Sequence, residues 1–549
     1  MSKWRQLLIA GLLGLIAAVP AAVAARALAA SAAHGPRPRP SGRLALRGAL
    51  QDGATLTARG LHWKAAPRSL QSVSYAWSAC SRTRCAALSI PPHQPYLPSA
   101  LLGPGDVGKR IRVRETAVDV LSNGRETSTT VSYRSARAVA PWPRRMAPRV
   151  DFIYGVPEAE TASDREQFDL SPPFANSRDG RVKVACRVDH RPFAQACAHT
   201  RAFLTPVLGR GPHTVYVRVS SSAGTRTTSY SWDVVAMPPP RPCSSCFKPP
   251  HLDSSGHPMS WDWQLQGRLR FRKVDMFDVD GFDTPASVVA KIHARAGRTL
   301  AHERAICYLS LGSWERYRPD EARWPKAALG LTLGGYPDEH WVDVRQLQAL
   351  MPLIDARMRM CARKGFDGVE VDNIDGWDNH SGFPLTPQDT EAWLAAIANE
   401  AHSLDMFVLW KNDPYLASFG LRYFDGALSE QCFEYRECTA RQNAGFSFFP
   451  GMRCNMTSWR CGVAQFAAAG KWVGEVEYKW GVDGTAGVVC DPEQRCVLRR
   501  RHSNYVEVPY KTFCADVYAR KGFDFAAWRA YLSSAINGRD SFYCWRRYK

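Results

Sequence analysis

The chain has 549 residues, 45% hydrophobic and 11% aromatic with 18 Trp, which excludes a disordered or fibrous protein and is too long for one domain. Its formal net charge of +20 comes entirely from residues 1–250, where 34 Lys and Arg stand against 14 Asp and Glu, while residues 251–549 balance at 37 of each. A basic N-terminal half beside a neutral C-terminal half suits contact with an anionic cell-wall polymer or membrane surface, or solubility alone, and no nucleic-acid module is present.

Residues 1–30 place Lys3 and Arg5 ahead of an apolar run from Leu7 to Ala25, followed by the small-residue exits Ala22-Val23-Ala24 and Ala27-Leu28-Ala29. This is the pattern of a secretory signal, and the run is also just long enough for an uncleaved membrane anchor. Sixteen cysteines, many in close pairs such as Cys80/Cys85, Cys186/Cys197 and Cys243/Cys246, agree with export and disulfide bonding to give a secreted or cell-surface protein. Cys432/Cys438, Cys454/Cys461 and Cys490/Cys496 form further close pairs, and spacing does not pair Cys307, Cys361, Cys514 or Cys544.

A Pro- and Arg-rich linker occupies residues 31–42. Residues 43–142 alternate apolar and polar positions in short strands, with a Ser122-Asn123-Gly124 hairpin signal. The pattern Tyr75-x-Trp77-x-x-Cys80 with Gly105-Asp-Val-Gly-Lys109 resembles the immunoglobulin-like modules of bacterial surface proteins. Residues 146–236 carry Cys186-Arg-Val-Asp189, Cys197 and Gly211-Pro-His-Thr-Val-Tyr-Val-Arg-Val219. They resemble a second immunoglobulin-like or fibronectin-like module. Both resemblances imply β-sandwiches serving as spacers or wall-binding units.

A Pro/Cys linker fills residues 237–257, and a domain of different texture follows over 258–549. Strand-like runs at 260–265, 274–278, 305–309, 368–372, 407–411, 426–430, 472–478 and 523–527 alternate with helical stretches such as 343–364 and 386–404. Eight such runs predict a (β/α)₈ TIM barrel, with a doubly wound sheet as the alternative. The expected architecture is therefore multidomain, two all-β sandwiches followed by an α/β barrel. No Gly-rich nucleotide-binding signature follows a strand, the histidines show no metal-ligand spacing, and the lone Cys243-Ser-Ser-Cys246 in a proline-rich linker reads as a local disulfide, so neither cofactor nor metal is expected.

In a barrel the C-terminal ends of the strands converge on one mouth. Residues 368–376 read Gly-Val-Glu-Val-Asp-Asn-Ile-Asp-Gly, putting Glu370 and Asp372 on one strand face and the valines on the other. Asp278 and Asp280, Asp375, Lys411 and Asn412, Glu430, and Glu475 and Glu477 join them at other strand ends, with Trp263 nearby. An acidic, aromatic-lined mouth suits a sugar, particularly a cationic amino sugar. Glycoside hydrolysis needs two opposed carboxylates, one protonated and one ionised. Asp372 and Glu430 are the expected pair. Trp263, Asp278, Asp280, Glu370, Asp375, Lys411, Asn412 and Glu477 are the expected substrate contacts.

Several ordered blocks then resemble glycoside hydrolase family 114, the endo-α-1,4-polygalactosaminidases. They include Trp261-Asp-Trp-Gln-Leu265, Asp278-Val-Asp280, Cys307-Tyr-Leu-Ser-Leu-Gly-Ser313-Trp-Glu-Arg-Tyr-Arg-Pro319, Lys364-Gly-Phe-Asp-Gly368-Val-Glu370-Val-Asp372, Lys411-Asn412 and Ser429-Glu430-Gln431-Cys432. The resemblance spans roughly residues 258–530 and implies an endo-acting barrel hydrolase of α-1,4-linked galactosamine polymer. Its catalytic acids fall on Asp372 and Glu430. Departures lie at Arg436 and Ala440, and in apparent insertions at 448–463 and 481–508, the latter basic around Arg499-Arg-Arg501. A non-catalytic surface protein binding wall or capsular polysaccharide is the competing expectation.

Overall fold

The computed structural model describes residues 37–430 apart from 66–68, 91–93, 122–125, 195–196, 198–200, 255, 257–258, 268 and 335, then residues 462–479, and the backbone of strands 524–529 and 541–543.

Two mostly-β units come first. In the N-terminal unit a four-stranded sheet is ordered Cys85–Ala87, Ser69–Cys80, Arg110–Leu121, Glu126–Ala138. Alternation sends Ile111 and Val113 inward, fully buried beside Leu56, Trp77 and Leu102, and leaves the intervening arginines outside. The second unit has a four-stranded sheet built on the long hairpin of Gly211–Ser221 and Gly224–Val234. A three-stranded sheet of Phe152–Ile153, Gln167–Leu170 and Ala202–Leu204 accompanies it.

The C-terminal domain is a nine-stranded sheet. Its strands are Trp261–Gln264, Met276–Asp280, Arg304–Ser310, Gly368–Asp372, Phe407–Lys411, Gly426–Glu430, Trp472–Lys479, Asp524–Arg529 and Ser541–Tyr543, in that spatial order. All but the last pair in parallel. Spatial order follows chain order without the reversal a doubly wound sheet would need. The sheet curls into a nearly closed barrel: Trp261 of the first strand meets Trp472 of the seventh edge-on, ring centroids 5.4 Å apart. Phe407–Lys411 is buried along its whole length, as expected of a parallel strand covered on both faces.

Helix Pro387–Ser403 starts where it does because Thr386 and Asp389 form a capping box ahead of a first-turn proline. Helix Leu347–Lys364 stops at Gly365, whose φ of 91° is left-handed, after a basic last turn. One element has no counterpart among the predicted ones. Ser313–Glu315, Leu329–Leu333 and Tyr336–Val342 form a small antiparallel sheet between the third and fourth barrel strands.

Both β units pack on the barrel domain. Tyr96 of the first sits against Trp314 and His340 of the small sheet, with centroids 4.8 and 5.1 Å away. From the second, the Tyr154 carbonyl accepts from Arg345 and the Arg165 carbonyl accepts from the Thr386 hydroxyl. Disulfides join Cys80–Cys85, Cys186–Cys197 and Cys243–Cys246, the close pairs expected, and also Cys307–Cys361, which spacing left open. The remaining cysteines lie outside the described residues, as do both insertions apart from residues 462–463. No described helix is long and apolar enough to cross a membrane.

Candidate active site

A cleft of about 490 Å³ opens at the C-terminal mouth of the barrel, lined among others by Trp263, Asp280, Tyr308, Tyr317, Tyr336, Glu339, Asp372, Asn412 and Glu430. Parallel register assembles it. Asp280 pairs with Tyr308, Tyr308 with Glu370, and Ser310 with Asp372, so these side chains share the inner face at successive levels. Chain reversal at the mouth needs close backbone approach: a Cβ on Gly312 would lie 1.6 Å from the Asn373 carbonyl oxygen, and Asn373 itself has φ 61°.

Asp372 ends its strand surrounded by donors. Lys411 Nζ and the Asn373 amide donate to Oδ1 at 2.8 and 2.9 Å, and the Tyr308 hydroxyl donates to Oδ2 at 2.7 Å. Although burial opposes the charge, the Lys411 ammonium and these hydrogen bonds hold the Asp372 carboxyl below its usual range, so it is ionised at neutral pH. Glu430 faces it from two strands away, its carboxylate 3.5 Å from the same ammonium and its backbone amide donating to Asn412 Oδ1 at 2.7 Å. Lys411 is 1% exposed, and although burial works against its charge, Asp372, Glu370 and Glu430 together raise its pKa and keep it protonated.

Below the cleft floor lies a second acid pair. Glu370 accepts from Trp263 Nε1 at 3.1 Å and ion-pairs with Lys411 at 3.1 Å. Asp278 is fully buried beside it; burial first and the Glu370 charge second push its carboxyl far up, so Asp278 holds a proton. Lys411 ion-pairs with Glu370, Asp372 and Glu430, and not with Asp278.

The small antiparallel sheet builds one wall. The Tyr317 hydroxyl donates to Glu339 at 2.8 Å and lies 3.1 Å from Glu315, and Ser313 donates to Glu339 at 3.0 Å. Burial, then the nearby Glu315 charge, push the Glu339 carboxyl up to about 7. Arg318 grips Asp280 through two parallel bonds of 3.0 and 2.7 Å and reaches Glu315 at 2.8 Å. Tyr336 and Tyr317 remain 53% and 43% exposed, which leaves aromatic surface facing the cleft.

The expected residues therefore divide. Asp372, Glu430, Trp263, Asp280 and Asn412 line the cleft, with the Asp280 carboxylate already occupied by Arg318. Asp278, Glu370 and Lys411 do not line it; they are 0, 0 and 1% exposed and act on it from beneath. Asp375 sits in the following turn, where its carbonyl accepts from Asp378 and Asn379, and does not line the cleft. The Glu475 and Glu477 side chains lie outside the described residues. Tyr308, Tyr317, Tyr336 and Glu339 were not anticipated as site residues. Tyr308 was legible as the partner two residues before Ser310 on the strand beside Asp372, whereas the others depend on the small sheet. No described cluster of His, Cys, Asp and Glu could hold a metal.

Residues 246–514 match the model of glycoside-hydrolase family GH114. An uncharacterized protein of Deinococcus radiodurans is 31% identical over 188 residues, covering 30% of this chain and 56% of its own, so the chain spans about half the length of that relative. Among solved structures, that of Aspergillus fumigatus Ega3 with galactosamine is 24% identical with a TM-score of 0.41, covering 56% of this chain and 99% of that one. The glycoside hydrolase domain of PelA from Pseudomonas aeruginosa is 12% identical with a TM-score of 0.32, covering 51% and 97%.

Proposed function

We propose that this chain is a secreted endo-acting glycoside hydrolase that cuts an amino-sugar polysaccharide, most specifically α-1,4-linked galactosamine polymer, with Asp372 and Glu430 as its catalytic carboxylates. The observation that carries this reading is the position of Lys411. Its ammonium lies 2.8 Å from Asp372 and 3.5 Å from Glu430, so two acids on different strands face one another across the cleft.

The environments assign the roles. Asp372 accepts three hydrogen bonds and stays ionised, which fits the nucleophile. Glu430 lies farther from the shared ammonium, at 3.5 Å against 2.8 Å for Asp372, and fits the proton donor to the leaving oxygen. Both carboxylates reach one ammonium, at 2.8 and 3.5 Å, which favours a closely spaced, retaining pair. In that course Asp372 forms the glycosyl–enzyme ester as Glu430 protonates the departing oxygen, and Glu430 then deprotonates the water that releases the sugar.

Substrate class follows from the wall. A cleft with Glu339, Asp372 and Glu430 in its lining favours a protonated amine over a neutral acetamide, and Tyr317 and Tyr336 offer faces for sugar rings. The test is release of reducing ends from galactosamine polymer before and after chemical N-acetylation. Cleavage should fall as the amines are capped. Binding without cleavage of either polymer would leave a non-catalytic polysaccharide receptor instead.

A further inference from the structure

We propose that the outer face of the four-stranded sheet in the N-terminal β unit is a binding site for a linear anionic glycan. Arg110, Arg112 and Arg114 occupy alternate positions of strand Arg110–Leu121, and the buried Ile111 and Val113 between them fix the arginines on the outer side. Arg134 on the neighbouring strand stands directly opposite Arg112. Two like charges facing across a ladder destabilise a sheet, so the fold itself gives no reason for the pair. Arg82 and Arg84 extend the patch at the hairpin tip that the Cys80–Cys85 disulfide closes.

Among the described residues, counter-charge is missing from this face. Asp52, Asp106, Glu115 and Asp119 are 0 to 2% exposed. Glu115 accepts from Trp63 and the Leu61 amide, and Asp106 accepts from Ser89 and the Gly103 amide. Glu126 is the one further carboxylate between residues 37 and 140, and its side chain lies outside those described. None of the four sheet arginines forms an ion pair among the described residues. Arg112 and Arg134 donate only to the Ser78 hydroxyl and the Ser81 carbonyl.

The shape selects the occupant. Alternate strand residues repeat about every 6.7 Å, giving a flat row of guanidinium forks suited to oxyanions spaced along an extended chain. Among the described residues, none of the exposed large apolar side chains belongs to this unit. Its described surface therefore offers neither the apolar anchors of a membrane-surface site nor the stacking rings of a single-strand nucleic-acid site. A charged polysaccharide needs neither, and residues 246–514 of the same chain match a glycoside-hydrolase family model.

The experiment uses the full chain on immobilised polygalacturonate at low ionic strength. It compares the parent with the triple variant Arg110→Gln, Arg112→Gln, Arg114→Gln. A control of equal charge loss carries Arg178→Gln, Arg210→Gln, Arg226→Gln on the second unit. The expected result is binding that weakens as salt rises, about tenfold or more weaker in the sheet variant and near parental in the control. Release of reducing ends from short galactosamine oligomers should be the same in all three, which separates this site from the barrel. No binding by the parent, equal weakening in the control, or equally tight binding to phosphatidylserine vesicles or duplex DNA would overturn the proposal.

Discussion

Lys411 Nζ donates to Asp372 Oδ1 at 2.8 Å from a position 1% exposed, and the same ammonium ion-pairs with Glu370. Removing the cation while keeping the stem, Lys411→Met, leaves Asp372 and Glu370 to repel each other in a poorly solvated site. The Asp372 carboxyl, held low in the parent, should rise. With Asp372 as the proposed nucleophile, acting ionised, the acid limb of the kcat/KM profile should move to higher pH, and kcat at neutral pH should fall by about a hundredfold or more. Steady-state rates across pH check this; an unmoved acid limb would show that Lys411 does not set the Asp372 charge.

Tyr308 donates its hydroxyl to Asp372 Oδ2 at 2.7 Å. Tyr308→Phe deletes that donor and little volume. A hydrogen bond to a charged group contributes about 1.5–3 kcal/mol, so kcat should drop by about ten- to a hundredfold with KM nearly unchanged. Parental kcat in this variant would remove Tyr308 from the site's machinery.

Glu339 has its pKa raised from 4.5 to about 7. Because the folded state binds this proton more tightly than the unfolded chain, the group lowers stability as pH rises from about 4.5 to about 7, and by no further amount above that. Glu339→Gln removes the titration. The variant should be more stable than the parent at pH 8 by up to about 3 kcal/mol, with the difference vanishing near pH 4. Urea unfolding at both pH values checks the sign; parallel pH profiles would contradict it.

Cys307 on the third barrel strand and Cys361 on the following helix are joined across 54 residues, and both are fully buried. Closing a loop of that length restrains the unfolded chain by about 4 kcal/mol. Replacing both by Ala should lower stability by about that much, read by denaturant midpoint. A change below about 1 kcal/mol would contradict the contribution.

Much of this was legible because period and register are local. Strand 368–372, strand 407–411 and strand 426–430 fall where the apolar runs lie, and the alternation of Glu370 and Asp372 with two valines marked the inner face. Depth was not legible. Asp278 and Asp280 look alike in sequence, yet one is a protonated buried acid and the other is gripped by Arg318 at the rim. Their difference comes from neighbouring strands and from Arg318, 38 residues on. The small sheet of Ser313–Glu315, Leu329–Leu333 and Tyr336–Val342 escaped prediction because its pairing is irregular, with register shifts around Thr332. It carries Tyr336 and Glu339, so the wall that reads the substrate was the least legible part.

The pairing of Asp372 with Glu430 stands or falls on reducing-end release from de-N-acetylated α-1,4-galactosamine polymer by the parent, Asp372→Asn and Glu430→Gln, each first shown to be folded by circular dichroism. The expected result is rapid release of internal fragments by the parent and a loss of about 10³-fold or more in both variants. Parental rates in the Asp372→Asn protein, or no cleavage by the parent, would contradict it.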